Sequence, residues 1–164
     1  MTQLDEWMSE NFSLSDATYS EKALKYAIDN TPNLAQFLNM QRLCVNVLEL
    51  VREHYRTPIK TSSFYRSPEL CLKIGSKVTS QHCANDGAAA DFEIKGVDNK
   101  DLAIWISANL IFDQLILEKY ERDGDDPGSG WVHCSYRPAG NRNQRLITDD
   151  GKSYTAWKTS NEPF

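Results

Sequence analysis

The chain reads as an α+β protein, on three observations. Helical periodicity is concentrated in the first third, strand-like segments bounded by turn signals fill the second half, and no internal repeat or low-complexity tract interrupts them. With 164 residues, 40% hydrophobic and 25% charged, the sequence is one globular domain long enough to bury a sizeable core. The expected architecture is a set of N-terminal helices packed on a small, mainly antiparallel sheet, with 1–30 a peripheral helical N-terminus and 150–164 a C-terminal tail. The formal net charge of −5 and the lack of a basic cluster argue against a nucleic-acid partner. An anionic polymer would have to be met by local positive charge. Cys44, Cys71, Cys83 and Cys134 show no CxxC spacing, so they read as reduced thiols. There is no apolar run long enough to span a membrane and no basic-then-apolar leader, which implies synthesis in the cytoplasm without a signal peptide; a monomer is favoured.

Each element has its own justification. Leu4, Trp7, Met8 and Phe12 suggest a short amphipathic helix. Ser20 is a cap for a helix from Glu21, with Leu24 and Ile28 on its inner face. The strongest helix signal follows: Thr31 as cap, Pro32 at the first position, then Leu34, Phe37, Leu38, Cys44, Val45, Leu48 and Val51 at helical spacing, a stripe that reads as core scaffold. His54 falls near the end of that helix and reads as surface. Pro58 stops it, and Ile59–Phe64 is a short strand. Tyr65–Leu70 turns into another short helix that closes near Gly75. Ala89–Ile94 is a buried strand. A helix runs from Asp101 to Leu110, capped by Asp98 or Asn99, with Leu102, Ile106 and Leu110 inward. Phe112–Glu118 and Trp131–Tyr136 form a hairpin across a Gly/Asp/Pro-rich loop, Asp123–Gly130. Arg145–Thr148 and Tyr154–Trp157 form a second one across Asp149–Gly151.

The chemistry gathers around Ser80–Phe92. His82 precedes a small flexible loop, and Asp91 sits within a run of alanines that packs tightly. Imidazole nitrogen and carboxylate oxygen are both good zinc ligands, and three protein ligands with an open fourth position make a catalytic zinc site. With only three histidines in the chain, His133 in Trp131-Val132-His133-Cys134 is the third candidate. The predicted centre is one Zn2+ held by His82, Asp91 and His133. If the hairpin loop is centred between Asp125 and Asp126, Glu118 lies directly opposite His133, a few ångströms away on the same face, where a general base belongs. Glu93, on the same strand face as Asp91, is the alternative base. Single residues of these kinds are more often surface or core groups, and an isolated Arg66 would more often be a surface ion pair; the ordered set carries the prediction.

Ser63-Phe64-Tyr65-Arg66-Ser67-Pro68, Ser80-Gln81-His82 with Gly87-Ala88-Ala89-Ala90-Asp91-Phe92, and Phe112-Asp113-Gln114-Leu115-Ile116 with Trp131-Val132-His133 together resemble the zinc D-Ala-D-Ala carboxypeptidases and the phage L-alanyl-D-glutamate endolysins. Their fold is similar to the hedgehog signalling domain. The likeness runs from about Phe12 to about Thr148. It implies His82, Asp91 and His133 as zinc ligands, Arg66 as the group that holds a substrate carbonyl or carboxylate, Glu118 as catalytic base, and Ser80, Gln81 and Gln114 as substrate-binding residues. It implies hydrolysis of peptidoglycan stem peptides, with a phage lysin released by another factor as one setting. One departure stands out: eight residues separate His82 from Asp91, more than familiar members have. The surplus falls between His82 and Gly87 and introduces Asp86, a second-choice ligand or a group behind the ligands. Two other readings compete. One is a structural zinc module built on Cys71, Cys83 and Cys134, whose spacing fits no zinc-finger pattern. The other is a non-catalytic zinc-containing wall-binding or phage structural module.

Overall fold

A computed structural model describes residues 6–126 and 128–164. Two short helices, α1 (Leu14–Thr18) and α2 (Glu21–Tyr26), lead into a long rod. The rod comprises α3 (Leu34–Leu43), a π-helical turn (Cys44–Leu48) and α4 (Glu49–Tyr55). After it come β1 (Ile59–Ser63), α5 (Pro68–Lys73), a 3₁₀ turn (Gln81–Cys83) and β2 (Ala88–Ile94). The remainder is α6 (Asn99–Asn109), β3 (Gln114–Glu118), β4 (Trp131–Tyr136), β5 (Gln144–Thr148) and the short β6 (Thr155–Ala156). The six strands form one sheet in the order β1-β2-β4-β3-β5-β6, antiparallel except for the β3–β5 pair. The α+β expectation holds.

Alternation along the three central strands assigns each face its task. Ala88, Ala90, Phe92 and Ile94 of β2, Leu115 and Leu117 of β3, and Val132 and Cys134 of β4 join the hydrophobic core. Against them pack Met40, Leu43, Val47, Leu48 and Val51 of the rod and Leu102, Ala103 and Ile106 of α6. Asp91, His133, Ile116 and Glu118 occupy the alternate positions and face the other way. Covering one sheet face with helices therefore leaves the opposite face to hold polar groups.

Several local expectations need correction. Leu4 lies outside the described residues, and Trp7–Phe12 is no helix: Trp7 bridges to Ser13, and the Met8 N–H donates to the Phe12 carbonyl. Nor is this segment peripheral. Met8 and Phe12 enter the core, and Glu49 clamps the bend by accepting from Ser9 Oγ and from the Asn11 backbone N–H and side-chain amide. Ser20 caps α2 as expected, but Leu24 is 71% exposed and the buried residue is Ala23. The rod is capped by Asn33, not Thr31, in a reciprocal capping box with Gln36. Its N-terminal turns are rotated from the expected stripe: Leu34 and Leu38 are exposed, as is Val45, while Gln36 and Asn39 are buried. Those two amides hold the loop after His82, so their hydrogen bonds set the rotation. Asp98 caps α6, and Leu102 and Ile106 point inward as predicted. In the C-terminal tail Trp157 enters the core and Phe164 packs against it.

Candidate metal centre and active-site groove

His82 is positioned first by its 3₁₀ turn, capped by Ser80 Oγ, which accepts from the His82 backbone N–H. Beneath the turn the buried Gln36 amide donates to the carbonyl of Cys83 and to Asn85 Oδ1. Asn39 donates to the carbonyl of Ala84, and the Tyr65 hydroxyl donates to Gln36 Oε1. The loop between His82 and Gly87 is thus held by a polar buttress from the rod. Nothing in the sequence separates Gln36 and Asn39 from ordinary polar helix positions, which is why the buttress is not predicted there. The His82 ring is locked in turn: Nδ1 lies 2.7 Å from the Phe64 carbonyl oxygen. A carbonyl only accepts, so Nδ1 carries the proton and Nε2 presents its lone pair to the site.

β2 and β4 supply the other two groups. Asp91 and His133 are directly paired across the strands. Asp91 Oδ1 is 2.8 Å from His133 Nδ1 and 3.3 Å from His82 Nε2. All three side chains are buried, and their ligand atoms lie within 4.8 Å of one another. For a tetrahedral zinc with bonds near 2.0–2.1 Å, neighbouring ligand atoms sit about 3.3 Å apart. Two imidazoles and a carboxylate at this spacing fit a single zinc ion. Burial works against ionising Asp91, but the adjacent His82 and the hydrogen bond from His133 outweigh it and hold the carboxyl well below the usual range. Asp91 is therefore an anion ready to serve as a ligand.

Glu118 reaches the site by a register other than the expected one. It pairs with Trp131, while His133 pairs with Ile116. The difference from the expected pairing is two residues, which leaves Glu118 on the same face as His133; Oε1 is 4.0 Å from His133 Nδ1. Gly130 lets the two strand ends pass closely at this point: its φ is +66°, and a Cβ there would collide with the Glu118 carbonyl oxygen. Burial raises the Glu118 pKa, with Asp91 adding to the shift while His133 and Arg66 oppose it. Glu93 shares the face of Asp91, but its register partner is Lys60, whose Nζ holds it at 3.1 Å, and it does not line the groove. The structure thus does not bring the alternative base to the site.

The centre lies in a groove of about 670 Å³. Arg66 lines it, anchored by Ser63 Oγ at 2.7 Å and lying 3.8 Å from Asp91 Oδ2. Ser80, Gln81 and Gln114 line it as well. Gln114 Nε2 donates to Gln144 Oε1, and Gln81 Nε2 donates to Asp113 Oδ2. Asp86 is not among the converging ligand atoms; it is exposed and paired with Arg137 at 2.9 Å. Arg137, Arg142 and Tyr154 complete the groove. They come from irregular segments after the last motif, where no sequence pattern marks them.

The thiols do not gather. Cys71 and Cys83 touch at 2.8 Å in the interior, and Cys134 lies in the core face of β4. Among the described residues the converging metal-ligand group is His82, Asp91 and His133, which leaves a cysteine zinc module without support. No helix is long and apolar enough to cross a membrane among the described residues. No curated protein matches the chain. The Peptidase M15 family, however, matches residues 10–135, a span that contains all three of the converging donors and most of the chain; the protein belongs to that family of zinc-dependent metallopeptidases.

Proposed function

We propose that this metallopeptidase hydrolyses peptidoglycan stem peptides, with His82, Asp91 and His133 holding one zinc ion. The observation that supports the reading most is the buried triad with Glu118 4.0 Å from one of its members. Zinc bound there supplies a Lewis acid that lowers the pKa of a water to about 7 and polarises the scissile carbonyl. Glu118 accepts the proton of the attacking water and returns it to the leaving amine, a task suited to a carboxylate whose pKa is raised by burial. Arg66 holds the substrate carbonyl oxygen with a guanidinium that Ser63 keeps in place.

The groove extends to both sides of the triad. Along β3, Gln114 and the nearby Arg142 mark one end, and Glu118, Gly151 and Tyr154 the other. A groove continuing past the centre in both directions favours an endopeptidase, such as one cutting L-Ala-D-Glu, over an enzyme that trims a terminal residue. A phage lysin is the setting such an activity fits. Digestion of purified murein by the zinc-loaded protein, followed by mass spectrometry, tests this: cleavage inside the stem is expected, and release of terminal D-alanine alone would assign the carboxypeptidase type instead. A non-catalytic wall-binding module is separated by Glu118→Ala, which abolishes turnover in an enzyme while zinc content and fold persist. Intact stem peptides after treatment with the zinc-loaded wild type would refute the hydrolase reading.

A further inference from the structure

One end of the groove carries a charged constellation that metal binding and amide hydrolysis do not use. Asp113 is fully buried, yet it accepts from Arg142 Nε at 2.9 Å, Arg142 Nη2 at 2.6 Å, the Arg142 backbone N–H at 3.2 Å and Gln81 Nε2 at 2.9 Å. A buried carboxylate held this way fixes its partner in place. The Arg142 side chain is nonetheless 49% exposed. Of its five side-chain N–H donors, Asp113 takes two, and among the described residues the rest have no acceptor and can meet a ligand.

Arg137 stands beside it on different terms. Arg137 follows directly on the end of β4, four residues, about 13 Å of extended chain, from His133. Its partner Asp86 is 72% exposed, so the pair is of the weak surface type that an incoming anion can replace. Gln81 ties the two halves together, donating to Asp113 and to the Asp86 carbonyl.

We propose that the Arg137–Arg142 end of the groove receives a free carboxylate of the substrate, a few residues from the bond that is cut. This rests on the groove being a peptide site and gives it a chemical preference. Arg142 is the pre-positioned fork, and Arg137 exchanges Asp86 for the substrate carboxylate. In stem peptides the γ-linked D-glutamate carries a free α-carboxylate, and amidation of that group removes the charge while keeping the shape.

The test uses two synthetic stem peptides that differ only in whether this group is carboxylate or carboxamide. Hydrolysis is followed with the zinc-loaded full chain, and equilibrium binding by calorimetry with the zinc-loaded E118Q protein. The wild type is expected to favour the acid peptide by about tenfold in kcat/KM, the scale of one charge-assisted hydrogen bond. E118Q is expected to show the same preference in affinity. R142Q should collapse the ratio towards one in both assays, and R137Q, a change at a partly exposed side chain, should reduce it severalfold. An acid-to-amide ratio unchanged in both variants overturns the proposal, as does failure of either peptide to bind. Preferential binding without hydrolysis leaves this proposal standing and removes the hydrolase reading instead.

Discussion

The two faces of the central strands β2, β4 and β3 are built from alternate residues of the same 18 positions, yet they obey opposite rules. On one, Phe92, Leu115, Leu117 and Val132 are wholly buried against the helices, and stability comes from apolar area removed from water. On the other, Asp91, His133 and Glu118 are buried or half-buried polar groups that face a groove. Burial there costs free energy unless each group finds a partner. The helix-covered face supports the fold, and the groove face spends some of that stability on holding charges close together.

That contrast breaks or sharpens by substitution. The largest effect belongs to the groove face: Glu118→Gln should lower kcat by about 10²–10⁴-fold, the range for loss of a general base. The same change should not destabilise the zinc-free protein at neutral pH. The folded pKa of Glu118 is raised, so its ionised form disfavours folding above that pKa, and a neutral amide relieves the cost. Thermal unfolding of the zinc-free wild type and variant checks the sign. Phe92→Ala, on the neighbouring position of β2 but the opposite face, should cost about 3–5 kcal/mol in denaturant unfolding. If Phe92→Ala leaves stability intact, the division of labour between the faces is wrong.

Asp113→Asn should have a smaller and pH-dependent effect. Burial opposes ionisation of Asp113, but the hydrogen bonds from Arg142 and Gln81 lower its folded pKa below the ordinary value. Its contribution is therefore present above about pH 4 and is lost as the pH falls through the folded pKa. A stability gap of about 1–3 kcal/mol between wild type and D113N at pH 7 should narrow in acid. The smallest effect is expected at the thiols. Burial pushes Cys44 and Cys83 up to about 12, with Cys71 adding to the shift at Cys83. Iodoacetamide should label neither while the protein is folded, and rapid native-state labelling at Cys83 would show that the His82 turn opens.

The same contrast explains what could be read in the sequence. Donor chemistry and motif order brought His82, Asp91 and His133 to one centre, although the β2–β4 pairing that sets Asp91 beside His133 was not read from the sequence. Glu118 was found despite a register two residues off, because an even slip preserves the face. The helix stripe failed where Gln36 and Asn39 turn inward, since their reason for burial is a loop more than forty residues away. The Asp113–Arg142 pair was hidden for the same cause: both residues are ordinary locally, and only the fold of the β4–β5 connection joins them. Periodicity records which face is apolar. It carries no record of which polar groups from distant segments meet.

Anomalous diffraction at the zinc edge from crystals of the zinc-loaded protein tests the central claim most directly. One peak is expected, about 2.0–2.2 Å from His82 Nε2, Asp91 Oδ1 and His133 Nδ1, with the remaining position open to the groove. A peak elsewhere, or a thiolate completing the coordination, would contradict the account.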